Sequence, residues 1–330
     1  MLTEIKTGEL AKLADVSVAA ASIFLKSLDS TLVTRSNRKT TGVSPEAVEL
    51  FLRQHNSSFF RPTIILIANL CGGVGKTTSA INLCFGLRRI INRKTAVVIH
   101  DADPQGSATH QILGQMANED ELILADYLEG RAKLKDILTP LGDNTWILKS
   151  NLNNASIEKL LMKPIDIKTR MLSFYQDIFH TLGEETKIIQ DHHPDLSVFL
   201  ASSICALHQL PDTYLKAVLI PLRSDEFAIS GGQKIIKELE DLKETFSFDK
   251  DISIHCYFSN MDRRIPTSGA ALQVAASKEE IIKYLSPIVI RYSDEIPKSL
   301  HNHSNIYSSG KKSKATEDFN DLLLSIFSSK

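Results

Sequence analysis

Four cysteines in 330 residues, none of them paired as C-x-x-C, exclude a zinc site of the usual spacing and a disulfide framework. Cys71, Cys84, Cys205 and Cys256 are scattered along the chain, a usage that suits a reducing cytoplasm. Charge of one sign is also lacking. Lys and Arg number 38 against 39 Asp and Glu, so the formal net charge is −1, and any DNA binding must come from local patches. No run of ~18 uninterrupted apolar residues occurs, so nothing is expected to span a bilayer. The opening "MLTEIKTGELAKLADV" has no basic-then-apolar signal order. Internal repeats and low-complexity segments are absent. What remains is 43% hydrophobic and 23% charged, ordinary for a globular chain, with length for two domains of ~100–200 residues each.

Residues 1–57 read as a small all-α domain. "TGELAKLADVSVAAASIFLK" holds two short helical patterns broken at Asp15-Val16, with Ser17 as N-cap of the second. The polar "TRSNRKTTG" follows, then "SPEAVELFLRQHN", where Ser44 caps, Pro45 takes the first helical position and Glu46 favours the first turn. "NSSFFRP" leads into a linker over 58–62, since the residue before Pro62 is pushed out of helix.

From Thr63 to residue 330 the pattern becomes short apolar runs alternating with helical stretches. "TIILIANL", "TAVVIHDAD", "TWILKS", "TKIIQDHH", "YLKAVLIPL", "ISIHCYFSN" and "SPIVIRYS" are the expected strands. Alternation of this kind predicts βαβ units, hence an α/β fold with a doubly wound, mostly parallel sheet. Residues 107–185 are the least legible and read as helical, with a polar break at "LGDNT".

The chemistry concentrates at "NLCGGVGKTTSAINL". Gly72, Gly73, Val74, Gly75, Lys76, Thr77 and Thr78 follow a buried strand and open a helix. Triphosphate binding needs this order: glycines let backbone N–H groups close around phosphates, and the helix N-terminus adds a favourable field. Lys76 would neutralise phosphate charge and the Thr77 hydroxyl would ligate Mg²⁺. Asp191 ends a buried strand, where a carboxylate can hold Mg²⁺ through water. Asp101 and Asp103 share one side of another strand end and point toward the γ-phosphate. Asn260 also ends a strand and is either an adenine reader or an ordinary loop asparagine.

This stretch resembles the deviant Walker A motif, K-G-G-x-G-K-[ST]-[ST], of the ParA/MinD family of P-loop ATPases. The likeness extends over most of 62–325. "VVIHDADPQGSATHQIL" is similar to the family's D-x-D-P-Q-G-x-[AS]-T segment, which favours the ParA branch. "TKIIQDHHP" is similar to its Walker B strand, and "VLIPLRSDEFAISGGQKII" to the strand that ends in proline before an aromatic-Ala-x-x-Gly helix start. The resemblance implies ATP/ADP and Mg²⁺ as ligands, a water-positioning role for Asp103, and support of metal or loop by Asp101. It further implies a homodimer closed by ATP, DNA binding without sequence preference, and slow hydrolysis stimulated by a ParB-like partner. The setting would be cytoplasmic and nucleoid-associated, with no membrane partner. Iron–sulfur reductases of the same superfamily fit poorly, since no cysteine lies between Cys84 and Cys205.

Two departures stand out. The family's first motif lysine, which reaches the partner's nucleotide, is Cys71 here, and His193 replaces the first proline after Walker B. Either another lysine substitutes, with Lys311, Lys312 and Lys314 of "SSGKKSKATEDF" as candidates, or the protein is a nucleotide-sensing transcriptional repressor with little turnover. Cys71 is otherwise a passive small residue or a redox-sensitive thiol.

The N-terminal segment fits a helix-turn-helix, with Ser17, Ala19, Ala20 and Ser22 opening a recognition helix and Arg35, Arg38 and Lys39 gripping phosphates. A helical dimerisation module is the other reading. Arg263, Arg264 and Arg291 fall where relatives place arginines that bind DNA nonspecifically.

Overall fold

In the computed structural model, which describes residues 4–36, 39–262, 264, 267–309 and 313–327, the first two helices are α1 (Thr7–Leu13) and α2 (Val18–Ser27). The turn between them closes as a Schellman motif. Asp15 adopts φ 53°, its N–H donates to the Lys12 carbonyl, and the Val16 N–H donates to the Ala11 carbonyl. Ser17 then caps α2 by accepting from the Ala20 N–H at 3.1 Å. Ser44 does the same for α3 (Pro45–His55), accepting from Ala47.

The expectation of an all-α N-terminal domain is corrected here. Strands β1 (Val33–Ser36) and β2 (Lys39–Val43) pair antiparallel between α2 and α3. The stretch reads as polar because its buried hydrophobics among the described residues are Val33 and Val43, paired at the base of the hairpin, while Thr34 and Arg35 are exposed. Ile5 joins it through a bridge to Val43. The stretch expected as a linker is instead a 3₁₀ turn over Ser57–Phe60. There Phe59 stacks on Phe327 with centroids 4.7 Å apart, and Arg53 forks onto Glu185 at 3.0 and 2.8 Å. The core of the N-terminal segment is thereby continuous with that of the following domain.

The main sheet has eight strands. They are β3 (Thr63–Ile67), β4 (Val97–Ala102), β5 (Leu138–Gly142), β6 (Thr145–Leu148), β7 (Lys187–His192), β8 (Leu215–Leu222), β9 (Ser253–Met261) and β10 (Leu285–Arg291). Their order is β10-β9-β8-β3-β7-β4-β6-β5, and every pair is parallel except β5–β6. The "LGDNT" break is the tight turn of that edge hairpin, with Asp143 at φ 48° and Asn144 at φ 55°, the pair of positive φ values a type I′ turn requires. The doubly wound α/β expectation therefore holds, with one antiparallel edge strand in the region read as helical.

Helices cover both faces, which is why β3, β4, β7 and β8 are buried at every position. One face packs α4 (Lys76–Ile90), the C-terminal helix and the N-terminal segment. The other packs the helices Pro164–Leu182, Val198–Gln209 and Glu226–Thr245.

That second face carries a buried polar row. Tyr175 donates to Gln190 at 2.5 Å, Gln190 donates to Ser203 at 3.1 Å and meets His192 at 2.9 Å. His100 sits between Phe174 and Phe199 with neither ring nitrogen bonded, although the Gln190 amide is close enough to favour the charged ring slightly. Burial pushes His100 and His192 down to about 3 from 6.5. Below pH 6.5 the unfolded chain takes up protons that the fold refuses, so each group removes stability as pH falls. Two buried aspartates described below act in the opposite sense, so the His100 contribution is visible only as a difference between variants. His100→Leu is expected to be more stable than wild type, by a margin growing ~1.4 kcal/mol per pH unit on acidification. Urea unfolding from neutral pH to about pH 5 checks this; parallel curves would refute it.

Candidate nucleotide site

The carboxyl end of β3 lies between strands whose crossovers leave in opposite directions, the position where open α/β sheets bind ligands. From it the chain turns through Cys71–Gly75 into α4. Gly73 and Gly75 take φ 69° and 92°. A side chain on Gly75 would also collide with Ser259 of β9, whose Oγ lies 2.6 Å from the Cβ position. Asn69, which sequence reasoning passed over, staples the loop. It donates to the carbonyls of Pro221 and Ala228 at 2.8 and 3.0 Å and accepts from the Cys71 N–H at 2.8 Å. A polar residue closing an otherwise apolar strand was its only sequence signal.

Lys76 is buried at the base of the loop, donating to the carbonyls of Asn69 and Cys71, both at 3.0 Å. Burial lowers its pKa, and Asp191 and Asp103 oppose that. Gly72 and Gly73 are exposed at the loop's mouth, Thr77 and Thr78 are partly buried, and Val74 packs inward.

Adjacent strands place Asp101 of β4 directly opposite Asp191 of β7. Asp101 is committed to the loop: Oδ2 accepts from the Thr109 N–H and hydroxyl, both at 2.7 Å, and Oδ1 from the Asp103 N–H at 3.3 Å. Burial still pushes it up to about 7. Asp191 is fully buried, and burial followed by the Asp101 charge pushes it up to about 8. Thr77 is close enough to favour the ionised form, yet neither Asp191 oxygen completes a hydrogen bond. A buried carboxylate without a partner beside a threonine hydroxyl fits a hard, oxygen-preferring cation such as Mg²⁺. No cluster of three or more His, Cys, Asp or Glu side chains able to hold a metal occurs among the described residues. Mg²⁺ at Thr77 and Asp191 would therefore take its remaining oxygens from phosphates and water.

Asp103 accepts from the Gln105 N–H at 2.8 Å, which fixes the turn into the short helix Ser107–Leu113. His193 stands beside it, Nε2 3.8 Å from Asp103 and Nδ1 3.2 Å from Asp195. Asn260 is exposed at φ 55°, one residue beyond Ser259. Cys71 is a half-buried free thiol at the mouth of the loop. A glycine-rich loop between a buried strand and a helix, backed by carboxylates from neighbouring strand ends, defines a P-loop nucleotide-binding protein.

Three of the basic residues expected to meet DNA have partners within the chain. Arg35 donates to the Leu25 carbonyl at 3.0 Å, closing the end of α2. Arg264 is paired with Asp262 at 2.7 Å, and Arg291 with Asp318 at 2.6 Å and Glu317 at 3.5 Å, tying β10 to the C-terminal helix. Arg264 and Arg291 thus have carboxylate partners, and Arg35 a backbone carbonyl. Lys314 is exposed and lines a cleft with Arg264 and Arg291 that includes no phosphate-loop residue. Arg38, Arg263, Lys311 and Lys312 lie outside the described residues, as does the side chain of Lys39.

Comparison with known proteins agrees with the geometry. An AAA domain family matches residues 62–254, more than half of the chain. The chromosome partitioning protein ParA of Caulobacter vibrioides is 29% identical over 182 residues, 54% of this chain and 63% of that protein. The sporulation initiation inhibitor protein Soj of Bacillus subtilis is 26% identical over 238 residues, 72% of this chain and 85% of Soj. The chain thus spans less than two thirds of the Caulobacter relative it matches. Among solved structures, the Cyanothece McdA–ATP complex superposes with a TM-score of 0.65 at 18% identity, covering 82% of this chain and 98% of McdA, a likeness of fold. The chain belongs to the AAA domain family, among its ParA/MinD P-loop ATPases.

Proposed function

We propose that the chain is a ParA-type partition ATPase that dimerises on Mg-ATP, holds DNA without sequence preference, and hydrolyses ATP when a ParB-like partner stimulates it. The convergence of Lys76, Thr77, Asp191 and Asp103 on one glycine-rich loop carries this reading. Mg²⁺ at Thr77 and Asp191 would neutralise phosphate charge, while the loop amides and Lys76 hold the phosphates and Asp103 orients water. Partition function is supported by the name of the Caulobacter relative, and ATP as ligand by the McdA complex.

Dimerisation is supported by apolar side chains left exposed on the segments that follow the carboxyl ends of the strands. Phe227 is 83% exposed, Met162 72%, Ile165 61% and Leu196 47%, apolar side chains that a second copy would cover. The N-terminal segment supports a winged helix-turn-helix: α1 and α2 with their Schellman turn, then a hairpin in the wing position, over the proposed domain 1–57. Its candidate reading surface is the exposed side of α2, with Ser17, Ala19 and Ala20. No helix among the described residues is long and apolar enough to cross a membrane.

With ATP and Mg²⁺ the full-length protein should sediment as a dimer and retain unrelated duplex DNA, and with ADP it should do neither. Ala20→Glu, on the exposed side of α2, should abolish preference for promoter DNA of its own operon and spare nucleotide binding. Arg38→Ala with Lys39→Ala should weaken binding to all sequences and flatten its salt dependence. A monomer indifferent to nucleotide would overturn the dimer reading, and unchanged promoter preference the helix-turn-helix reading.

A further inference from the structure

A nucleoside triphosphate brings several negative charges to a loop whose own cation is Lys76, because a cysteine at position 71 carries no positive charge. A second cation nevertheless stands at the loop's mouth. Arg223 follows β8, and its Nη1 lies 3.2 Å from the point where a Cβ on Gly73 would sit. Gly73 is favoured by its φ of 69°, and the guanidinium end stands in close contact with the space beside its Cα. The other edge of Arg223 is anchored: Nε donates to Asp225 Oδ2 at 2.5 Å, while Asp225 Oδ1 accepts from the Ala228 N–H at 2.9 Å and so caps the helix Glu226–Thr245. One helix cap thus fixes the fork, and among the described residues no acceptor engages either Nη. The side chain is 46% exposed, open to a ligand arriving from solvent. Arginine in this pose offers two N–H groups to a phosphate in fixed geometry, which a flexible lysine does not.

We propose that Arg223 is a phosphate-binding residue that supplies, from the end of β8, the positive charge Cys71 cannot carry at the mouth of the phosphate loop. The proposal rests on the nucleotide-site reading above. The triphosphate it meets belongs either to its own subunit or to a second copy packed against this face, and the shared chemistry is a terminal phosphate that ADP lacks.

The test compares full-length wild type, Arg223→Gln, Cys71→Lys/Arg223→Gln and Lys76→Ala, using fluorescent ATP and ADP analogues with Mg²⁺ at dilute protein and sedimentation at high protein. If Arg223 serves its own subunit, Arg223→Gln weakens ATP binding on the order of 10- to 100-fold and leaves ADP binding unchanged. If it serves the partner's nucleotide, dilute binding is unchanged and ATP-dependent dimerisation is lost. In both cases Cys71→Lys restores the lost property by returning a cation to the mouth. A role confined to bracing Asp225 would lower thermal stability and weaken ATP and ADP alike, without rescue, and that result overturns the proposal. So does a variant with wild-type ATP binding and dimerisation. Lys76→Ala separates the two levels: if it binds both nucleotides normally, the nucleotide-site reading itself has failed, whatever Arg223 does.

Discussion

Lys76→Ala is expected to lower affinity for ATP by at least about 100-fold, the loss of a buried charge-assisted contact in a site that excludes water. The lysine is held at the base of the loop by two of the loop's own carbonyls and faces two carboxylates. Removing it deprives the phosphates of their cation there and leaves Asp191 and Asp103 uncompensated. Titration with a fluorescent nucleotide measures the effect. Affinity within about threefold of wild type, less than the ~1.4 kcal/mol of a tenfold change, would show that phosphates do not bind at this loop.

The second large effect falls on turnover. Asp103→Ala should bind Mg-ATP as wild type does and hydrolyse it about 100-fold more slowly, the usual contribution of a positioned base or water-orienting group. The structure separates the two aspartates of "DADPQG" by their commitments. Asp101 spends both oxygens on Thr109 and the Asp103 backbone, whereas Asp103 bonds one backbone N–H and stands at the more open edge of the site. Asp101→Asn should consequently disturb the loop and nucleotide binding, not turnover alone. Single-turnover hydrolysis with direct measurement of bound ATP distinguishes them. Wild-type hydrolysis by Asp103→Ala would remove the water-positioning role, and a wild type that never turns over would favour the nucleotide-sensing repressor.

Legibility from sequence followed locality and burial. β3, β4 and β7 are buried on both faces, so their apolar runs announce themselves, and the loop, Lys76 and the three aspartates are adjacent in sequence to those runs. The hairpin of the N-terminal segment is not legible because "TRSNRKTTG" carries its strand character in hydrogen bonds, with apolar residues only at its base. β5 was hidden by Pro140 and Gly142, which an edge strand tolerates and a central one does not. Asn69 and Thr109 could not be assigned because their partners lie 152 and 8 residues away across the fold. Arg223 lies within "VLIPLRSDEFAISGGQKII", but its meaning depends on the approach of β8 to β3, which spacing does not encode. The carboxylates beside Arg264 and Arg291 were hidden for a complementary reason: sequence shows a positive charge and conceals the partner that the fold brings to it.

One feature of α4 extends beyond nucleotide binding. The helix begins at Lys76 and ends at Ile90, a rod of ~22 Å by its rise per residue. Near its far end Arg89 is buried and bonded to Glu9 of α1 at 2.5 Å and to Asn320 of the C-terminal helix at 3.2 Å. The phosphate loop and the N-terminal module are therefore two ends of one stiff lever, with the C-terminal helix as its bearing. Any tilt of the rod accompanying phosphate binding moves the bearing contacts beneath α1. Thermodynamic reciprocity then applies: whatever factor nucleotide imposes on a ligand of the N-terminal module, that ligand imposes on nucleotide in return.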